Sequence, residues 1–408
     1  MLQKIRNITL LLILNTFLAI SQTDNFSAYL FAYFTGNSGD QEAIRFAISD
    51  DGHNFKALNK NKPVLNSADI SSTGGVRDPH ILRGENNDYY MVATDMVSAK
   101  GWDSNRGLVM LKSNNLIDWT SSKVNIPKTF TQYASADRVW APQTIYDQNA
   151  KKYMVYFAMR LGPSDADKLY YAYSNSSFTA LESAPKVLYS YNGKASIDGD
   201  IIFKDNTYFL FFKNEGTGNG IKSARSSVLT GGYTLYDKYL QQTTAAVEGS
   251  CVFKLLNSNK YVLMYDVYTS GRYEYAISTD LINFSKDPSP ISFDFSPRHG
   301  TVIPITAAEK QALTTKWNPI RVNSIVPDKK EFSFKFFQQK KILELVFEEI
   351  AYANPTVIVM DLTGRIRYQG VITHGNNRIE ISGLNPGVYQ VCCKSKSGYS
   401  RNTKIVVR

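Results

Sequence analysis

The chain has 408 residues, 43% hydrophobic, 13% aromatic and 20% charged, enough apolar material to bury one large core and one small one and too much for extended disorder. Twenty-six Tyr and 22 Phe against 8 Met and 4 Trp argue against an all-helical fold, because flat rings pack well on a pleated, half-buried surface. The formal charge is +10, but residues 321–408 hold 14 Lys+Arg and 7 Asp+Glu, which leaves +3 for the first 320 residues and no compositional support for a nucleic-acid groove there.

At the N-terminus, Lys4 and Arg6 precede a mainly apolar run from Ile8 to Ile20 and the polar stretch Ser21-Gln22-Thr23-Asp24. Two early cations, about a dozen apolar residues and a small residue form the pattern of a secretory signal peptide. The run is short for a membrane span, which needs about 20 residues. The sequence therefore predicts cleavage near Ser21, no membrane span in the mature chain, and a secreted or cell-surface protein. Cys251, Cys392 and Cys393 offer neither a disulfide framework nor a zinc spacing.

A strand-like segment recurs at Tyr29, Tyr90, Tyr153, Tyr208 and Tyr261, in steps of 61, 63, 55 and 53 residues. A second strand follows each and ends near a serine: Ser49, Ser113, Ser174, Ser223 and Ser278. Three of these run into similar turns closed by an aromatic, Asp51 to Phe55, Asn115 to Trp119 and Asp280 to Phe284. A third strand precedes each Tyr strand except the first: Arg77-Asp78-Pro79, Trp140-Ala141-Pro142, Ile197-Asp198-Gly199, Val247-Glu248-Gly249 and, with no Tyr strand after it, Arg298-His299-Gly300. Five all-strand units of this size predict an all-β fold, a five-bladed β-propeller over residues 22–310, closed by joining the first Tyr strand to the strand at His299.

Beyond the propeller the pattern predicts a short helix from Ala307 to Leu313, a linker over 311–320, and a small β-sandwich over 321–408 built from short alternating strands. The basic residues of that tail, such as Lys329, Lys330, Lys340 and Lys341, read as a solvated surface.

The first strand of a propeller blade lines the axial channel, so Asp78, Ala141, Asp198, Glu248 and His299 are expected to face one small space. Three carboxylates and an imidazole held together raise one another's cost, an arrangement that chemistry favours and stability does not. Glycoside hydrolysis is the reaction class that needs two carboxylates on opposite sides of a bond, one protonated and one ionised. Trp102, Trp140 and Tyr268 lie in or near channel-side segments, where rings can stack on sugar faces.

These five motifs, in register across some 280 residues, resemble glycoside hydrolase family 43, whose members act on arabinose-, xylose- and galactose-containing plant polysaccharides. The resemblance implies that Asp78 is the general base, Glu248 the general acid and Asp198 the residue that tunes and orients the acid, with inversion at the anomeric centre. His299 resembles an axial histidine that in relatives sits near a water or a calcium ion, so no cofactor is required and a structural calcium at His299 is the one metal the resemblance allows. Gln143 stands where relatives often carry an acid, which bears on substrate contacts there.

Other readings accompany these. Asp200 shares a strand face with Asp198 and competes for its role. Trp140, Gln143, Glu215 and His299 are expected on the substrate; Arg298 either binds a sugar hydroxyl or pairs with a channel carboxylate. Asp95, Asp103 and Arg106 read as surface charge, and Cys251 faces no base. A non-catalytic glycan-binding propeller and a retaining fructan hydrolase are the alternatives. In the tail, Val359 to Arg365, Ile379 to Tyr389 and Lys404 to Arg408 resemble the C-terminal sorting domain of the bacterial type IX route, which implies a secretion-machinery partner; a carbohydrate-binding or spacer sandwich competes with it.

Overall fold

The computed structural model describes residues 25–216, 218–318, 332–337, 342–347, 356–371, 375–394 and 400–407. The signal-peptide segment and Lys329, Lys330, Lys340 and Lys341 lie outside the described residues. The chain divides into two units, Met1–Pro319 and Ile320–Arg408.

Among the described residues the first unit holds five sheets, antiparallel throughout except where Ser292–Phe293 runs parallel to Asn54–Ala57. Their inner strands are Val76–Arg83, Arg138–Asp147, Ser196–Lys204, Glu248–Lys254 and Arg298–Thr306. Each pairs with a buried second strand: Tyr89–Asp95, Lys152–Arg160, Thr207–Asn214, Tyr261–Val267 and, for the fifth, Phe26–Phe34. Phe26–Phe34 thus joins Arg298–Thr306, the closure expected from the repeat. Each inner strand lies against those of its two neighbours, and the fifth lies against the first, so the sheets form a closed five-bladed ring.

A composition able to fill one large core instead fills five. One apolar cluster sits in each cleft between adjacent blades; Leu30, Phe46, Met91 and Val109 share one, Val92, Leu108, Val155 and Phe157 the next. The second strands are buried on both faces, which is why they read as nearly continuous apolar runs. Each fully buried Leu, Val or Phe contributes about 1.5–3 kcal/mol.

The repeated serines and turns have a common geometry. Ser49 Oγ, Ser113 Oγ and Ser278 Oγ donate to Asp51, Asn115 and Asp280, at 2.8, 3.1 and 2.8 Å. Each of those side chains accepts backbone N–H groups two and three residues on, at 53 and 54, 117 and 118, and 282 and 283.

Every inner strand carries a bulge at the same register. Asp78 and Pro79 oppose one residue of the second strand, as do Ala141 and Pro142, Asp198 and Gly199, Gly249 and Ser250, and His299 and Gly300. Four of the first bulge residues take positive φ: Asp78 50°, Ala141 43°, Asp198 52° and Gly249 62°. The repeat is therefore displaced by one residue at two places. Gly249, not Glu248, is equivalent to Asp78, and by the same register Tyr89, not Tyr90, is equivalent to the other four tyrosines.

Just past the bulges, side chains tie each inner strand to the next. Thr144 N donates to His80 Nδ1 (3.3 Å), and Val252 N to Asp200 Oδ2 (2.6 Å). Ile201 N donates to Tyr156 OH (3.0 Å), which donates to Gln143 Oε1 (2.8 Å). Val302 N donates to Cys251 Sγ (3.4 Å), and Thr301 Oγ1 completes the circuit on the Pro79 carbonyl (3.2 Å).

The helix after the last inner strand spans Ala307–Trp317, longer than the sequence suggested, so residues 311–317 belong to the first unit and not to a linker. Thr306 and Glu309 form a reciprocal capping box. Glu309 also pairs with Arg83 at 2.8 Å, Leu313 is buried, and Trp317 meets Phe46 edge-to-face at 5.5 Å.

Among its described residues the second unit holds two antiparallel sheets. One has Phe332–Phe337, Ile342–Phe347 and Gly375–Glu380; the other has Ile366–Val371, Thr356–Asp361, Gly387–Lys394 and Ser400–Val407. Val357, Val359, Tyr389, Val391, Ile405 and Val407 form a core with Ile379 and Ile381. Among the described residues no helix is long and apolar enough to cross a membrane.

Candidate active site

The bulges explain how one cavity gathers its residues. The position before each bulge supplies Arg77, Trp140, Ile197, Glu248 and Arg298, and all five line a cavity of about 490 Å3. The first bulge position adds Asp78, Asp198 and His299 to the same lining, while Ala141 and Gly249 leave room. Asp78, Asp198, Glu248 and His299, up to 221 positions apart in the chain, thus meet at one site.

Asp78 Oδ2 accepts from Thr94 Oγ1 at 2.8 Å, and Asp78 Oδ1 lies 3.5 Å from His299 Nδ1. Burial would raise this carboxyl, but the hydrogen bond and charge of His299, with Arg77 and Thr94, hold it below the ordinary carboxylate range. Asp78 is therefore an ionised acceptor. Asp198 differs: burial, reinforced by Glu248 and Asp78 against His299 and Lys213, pushes it up to about 6. Its Oδ2 accepts from Gly249 N at 2.9 Å and its carbonyl from Ser250 Oγ at 3.0 Å, so it grips the backbone beside Glu248. His299 is buried, which alone would lower it, but Asp198 and Asp78 outweigh burial and raise it to about 9.

Glu248 is held on both oxygens: Arg298 Nη2 at 2.5 Å on Oε1, and Lys213 Nζ at 3.1 Å on Oε2. Arg298 also donates through Nε to Asp266 Oδ2 at 2.5 Å, so of its two expected roles it takes the carboxylate pairing. Asp266 is fully buried and raised to about 6 by that burial, against the Arg298 charge.

Also in the lining, Trp102, half-exposed at 49%, meets Trp140 edge-to-face at 6.3 Å. The guanidinium of Arg138 lies over Trp140 at 4.4 Å and that of Arg77 over Trp102 at 5.2 Å. Tyr268 and Glu215 also line the cavity, with Asn37, Met96 and Lys213.

Gln143 is a correction. It is buried, bonded to Tyr156 and absent from the cavity lining, because the bulge at Ala141 and Pro142 sets it one tier deeper. Asp200 lies in that same deeper tier and does not line the cavity. Asp95 is not surface charge: it is buried and accepts from Ser72 N and Thr73 N.

The groups around His299 do not fit a calcium site. Its Nδ1 faces Asp78 and Asp198, whose other oxygens are taken by Thr94 and Gly249. Among the described residues no three His, Cys, Asp or Glu are placed to hold a metal.

The sequence reading missed Thr94, Lys213 and Asp266. A signal for them existed: each stands five residues after the repeated tyrosine, at Tyr89, Tyr208 and Tyr261, and pairs across the strand with a residue just before a bulge.

Comparison with known proteins places the chain in a family. An α-L-arabinofuranosidase of Bifidobacterium longum subsp. longum is 28% identical over 235 residues, 48% of this chain and 21% of that protein. The chain thus spans about a fifth of that curated relative's length. Among solved structures, a xylan β-1,4-xylosidase of Bacillus halodurans aligns over 93% of this chain and 88% of its own, with 11% identity and a TM-score of 0.49. An α-L-arabinofuranosidase of Clostridium thermocellum aligns over 67% and 92%, with 10% identity and a TM-score of 0.48. The family model described as a probable glycosyl hydrolase domain, related to glycoside hydrolase family 43, matches residues 24–311, and the chain belongs to that family.

Proposed function

We propose that this chain is a secreted glycoside hydrolase that removes arabinofuranosyl, xylosyl or galactosyl groups from plant-type polysaccharide or oligosaccharide by single displacement with inversion. The observation that carries this reading is the convergence of Asp78, Asp198, Glu248 and His299 on one cavity of about 490 Å3, a volume suited to a sugar ring. Asp78, kept ionised by His299 and Thr94, takes a proton from water as the water oxygen attacks the anomeric carbon. Glu248 gives a proton to the departing glycosidic oxygen, and the bond between that oxygen and the anomeric carbon breaks. Asp198 orients the donor through Gly249 N. The rings of Trp102, Trp140 and Tyr268 in the cavity lining support the sugar faces.

The second unit is proposed as a β-sandwich that serves as a sorting domain for the type IX route, on the strength of its sequence motifs; mature extracellular protein ending near residue 320 would bear this out. For the activity, aryl glycosides of the three sugars are the test, arabinofuranoside first, because the matched curated relative bears that name. Asp78→Asn and Glu248→Gln should each reduce turnover by about 1,000-fold or more while the fold persists, in keeping with loss of an essential acid or base. Near-native activity in either variant, or retained configuration in the first product seen by NMR, overturns the mechanism.

A further inference from the structure

A proton donor must carry a proton, yet both oxygens of Glu248 are occupied by cations, Arg298 at 2.5 Å and Lys213 at 3.1 Å. The two cations differ in freedom. Arg298 is anchored to Asp266, buried in the blade of Glu248. Lys213 instead divides its ammonium between Glu248 and Glu215, whose Oε2 lies at 2.8 Å, and that second carboxylate is more than a third exposed at the cavity lining. Lys213 itself is almost fully buried, with the Tyr268 ring 4.8 Å from its Nζ. Its hold on Glu248 therefore depends on how much of the ammonium Glu215 draws away.

Resting on the catalytic reading above, we propose that Lys213 is a positioning residue for the proton donor and that Glu215 is its counterweight: the division of one ammonium between the two carboxylates governs whether Glu248 can carry the proton it must give. Opposite charge at this range stabilises the ionised form of a carboxylate and like charge opposes it. The other charged or titratable groups facing Glu248 are Asp198 and His299 from the inner strands, Arg298, and Asp266 and Tyr273 from its own blade. None of these alters the sign of the Lys213 and Glu215 effects, because all remain in the variants below.

The test needs no turnover. In protein carrying 13C at the glutamate δ-carboxyl, the Glu248 resonance, assigned by its loss in Glu248→Gln, is titrated in wild type, Lys213→Met, Lys213→Arg and Glu215→Gln. Lys213→Met should move the midpoint up by about one pH unit or more, since a neighbouring cation is lost. Glu215→Gln should move it down by a smaller amount, because a repelling anion is gone and Lys213 falls wholly to Glu248. Lys213→Arg should restore the wild-type value. In an active preparation the basic limb of kcat/KM should follow the same opposite shifts. A midpoint unmoved in Glu215→Gln, or moved the same way in both variants, overturns the proposal. If Lys213→Met does not fold, Glu215→Gln, at the more exposed end of the pair, decides alone. Absence of turnover in wild type would instead count against the catalytic reading, and the titration would still report on Lys213.

Discussion

Gly249 and His299 compete for one volume. A Cβ placed on Gly249 would lie 2.8 Å from His299 Cγ and 2.9 Å from its Cβ, and the glycine sits at φ 62°. In the fourth blade the bulge position can therefore hold no side chain while the imidazole fills the axis. The carboxylate of that blade stands one residue earlier, at Glu248, on a side chain one methylene longer than that of Asp78 or Asp198. Gly249→Ala should destabilise the protein by about 2–4 kcal/mol, from overpacking and a left-handed backbone. It should also cut turnover at least tenfold as the imidazole shifts off Asp78 and Asp198. Urea unfolding and kcat measure the two effects.

His299 keeps Asp78 ionised from 3.5 Å away. Removing the imidazolium by His299→Gln raises the proton affinity of the base, so the acidic limb of kcat/KM should move to higher pH by about one unit. An acidic limb that stays in place would remove His299 from this role.

Asp200 is buried and raised to about 7, against an ordinary value of 3.8. Burial is the larger cause, set against the hydrogen bond from Val252 N. Between about pH 4 and 7 the folded protein keeps a proton there that the unfolded chain releases, so stability falls as pH rises through this window. In Asp200→Asn the side chain can still accept from Val252 N but cannot ionise. Its Tm relative to wild type should therefore grow more favourable from pH 5 to pH 8, as read by thermal scans at matched ionic strength.

Gln143 accepts from Tyr156 OH in the tier beneath the cavity. Gln143→Leu should lower stability by about 1–2 kcal/mol, the cost of stranding a buried hydroxyl. KM for an aryl glycoside should stay within twofold. A large rise in KM with stability intact would return Gln143 to the substrate.

The ring of blades was legible because five strands of one kind recur at nearly even spacing, and closure was legible because the first Tyr strand lacks an inner strand while His299 lacks a Tyr strand. What spacing could not reveal was the bulge. An extra residue in each inner strand changes which side chain faces the axis, so spacing alone aligns Glu248 with Asp78, one position too early, and sets Gln143 one tier too high. Lys213 and Asp266 are hidden for a related reason: they lie at the ends of apolar strands, and their partners, Glu248 and Arg298, stand dozens of positions away. The serine-ended turns, by contrast, are local hydrogen-bond motifs, and the sequence marked them directly.

Phe26–Phe34 is the first strand of the ring to leave the ribosome, yet Arg298–Thr306, the neighbour that covers its inner edge, is made last. Until then one side of it is an open template for any passing strand. Assembly of the final blade must therefore wait for nearly the whole propeller to be synthesised, and a nascent chain stalled before Arg298 would be left with its opening strand half-paired and the cleft against the first blade unsealed.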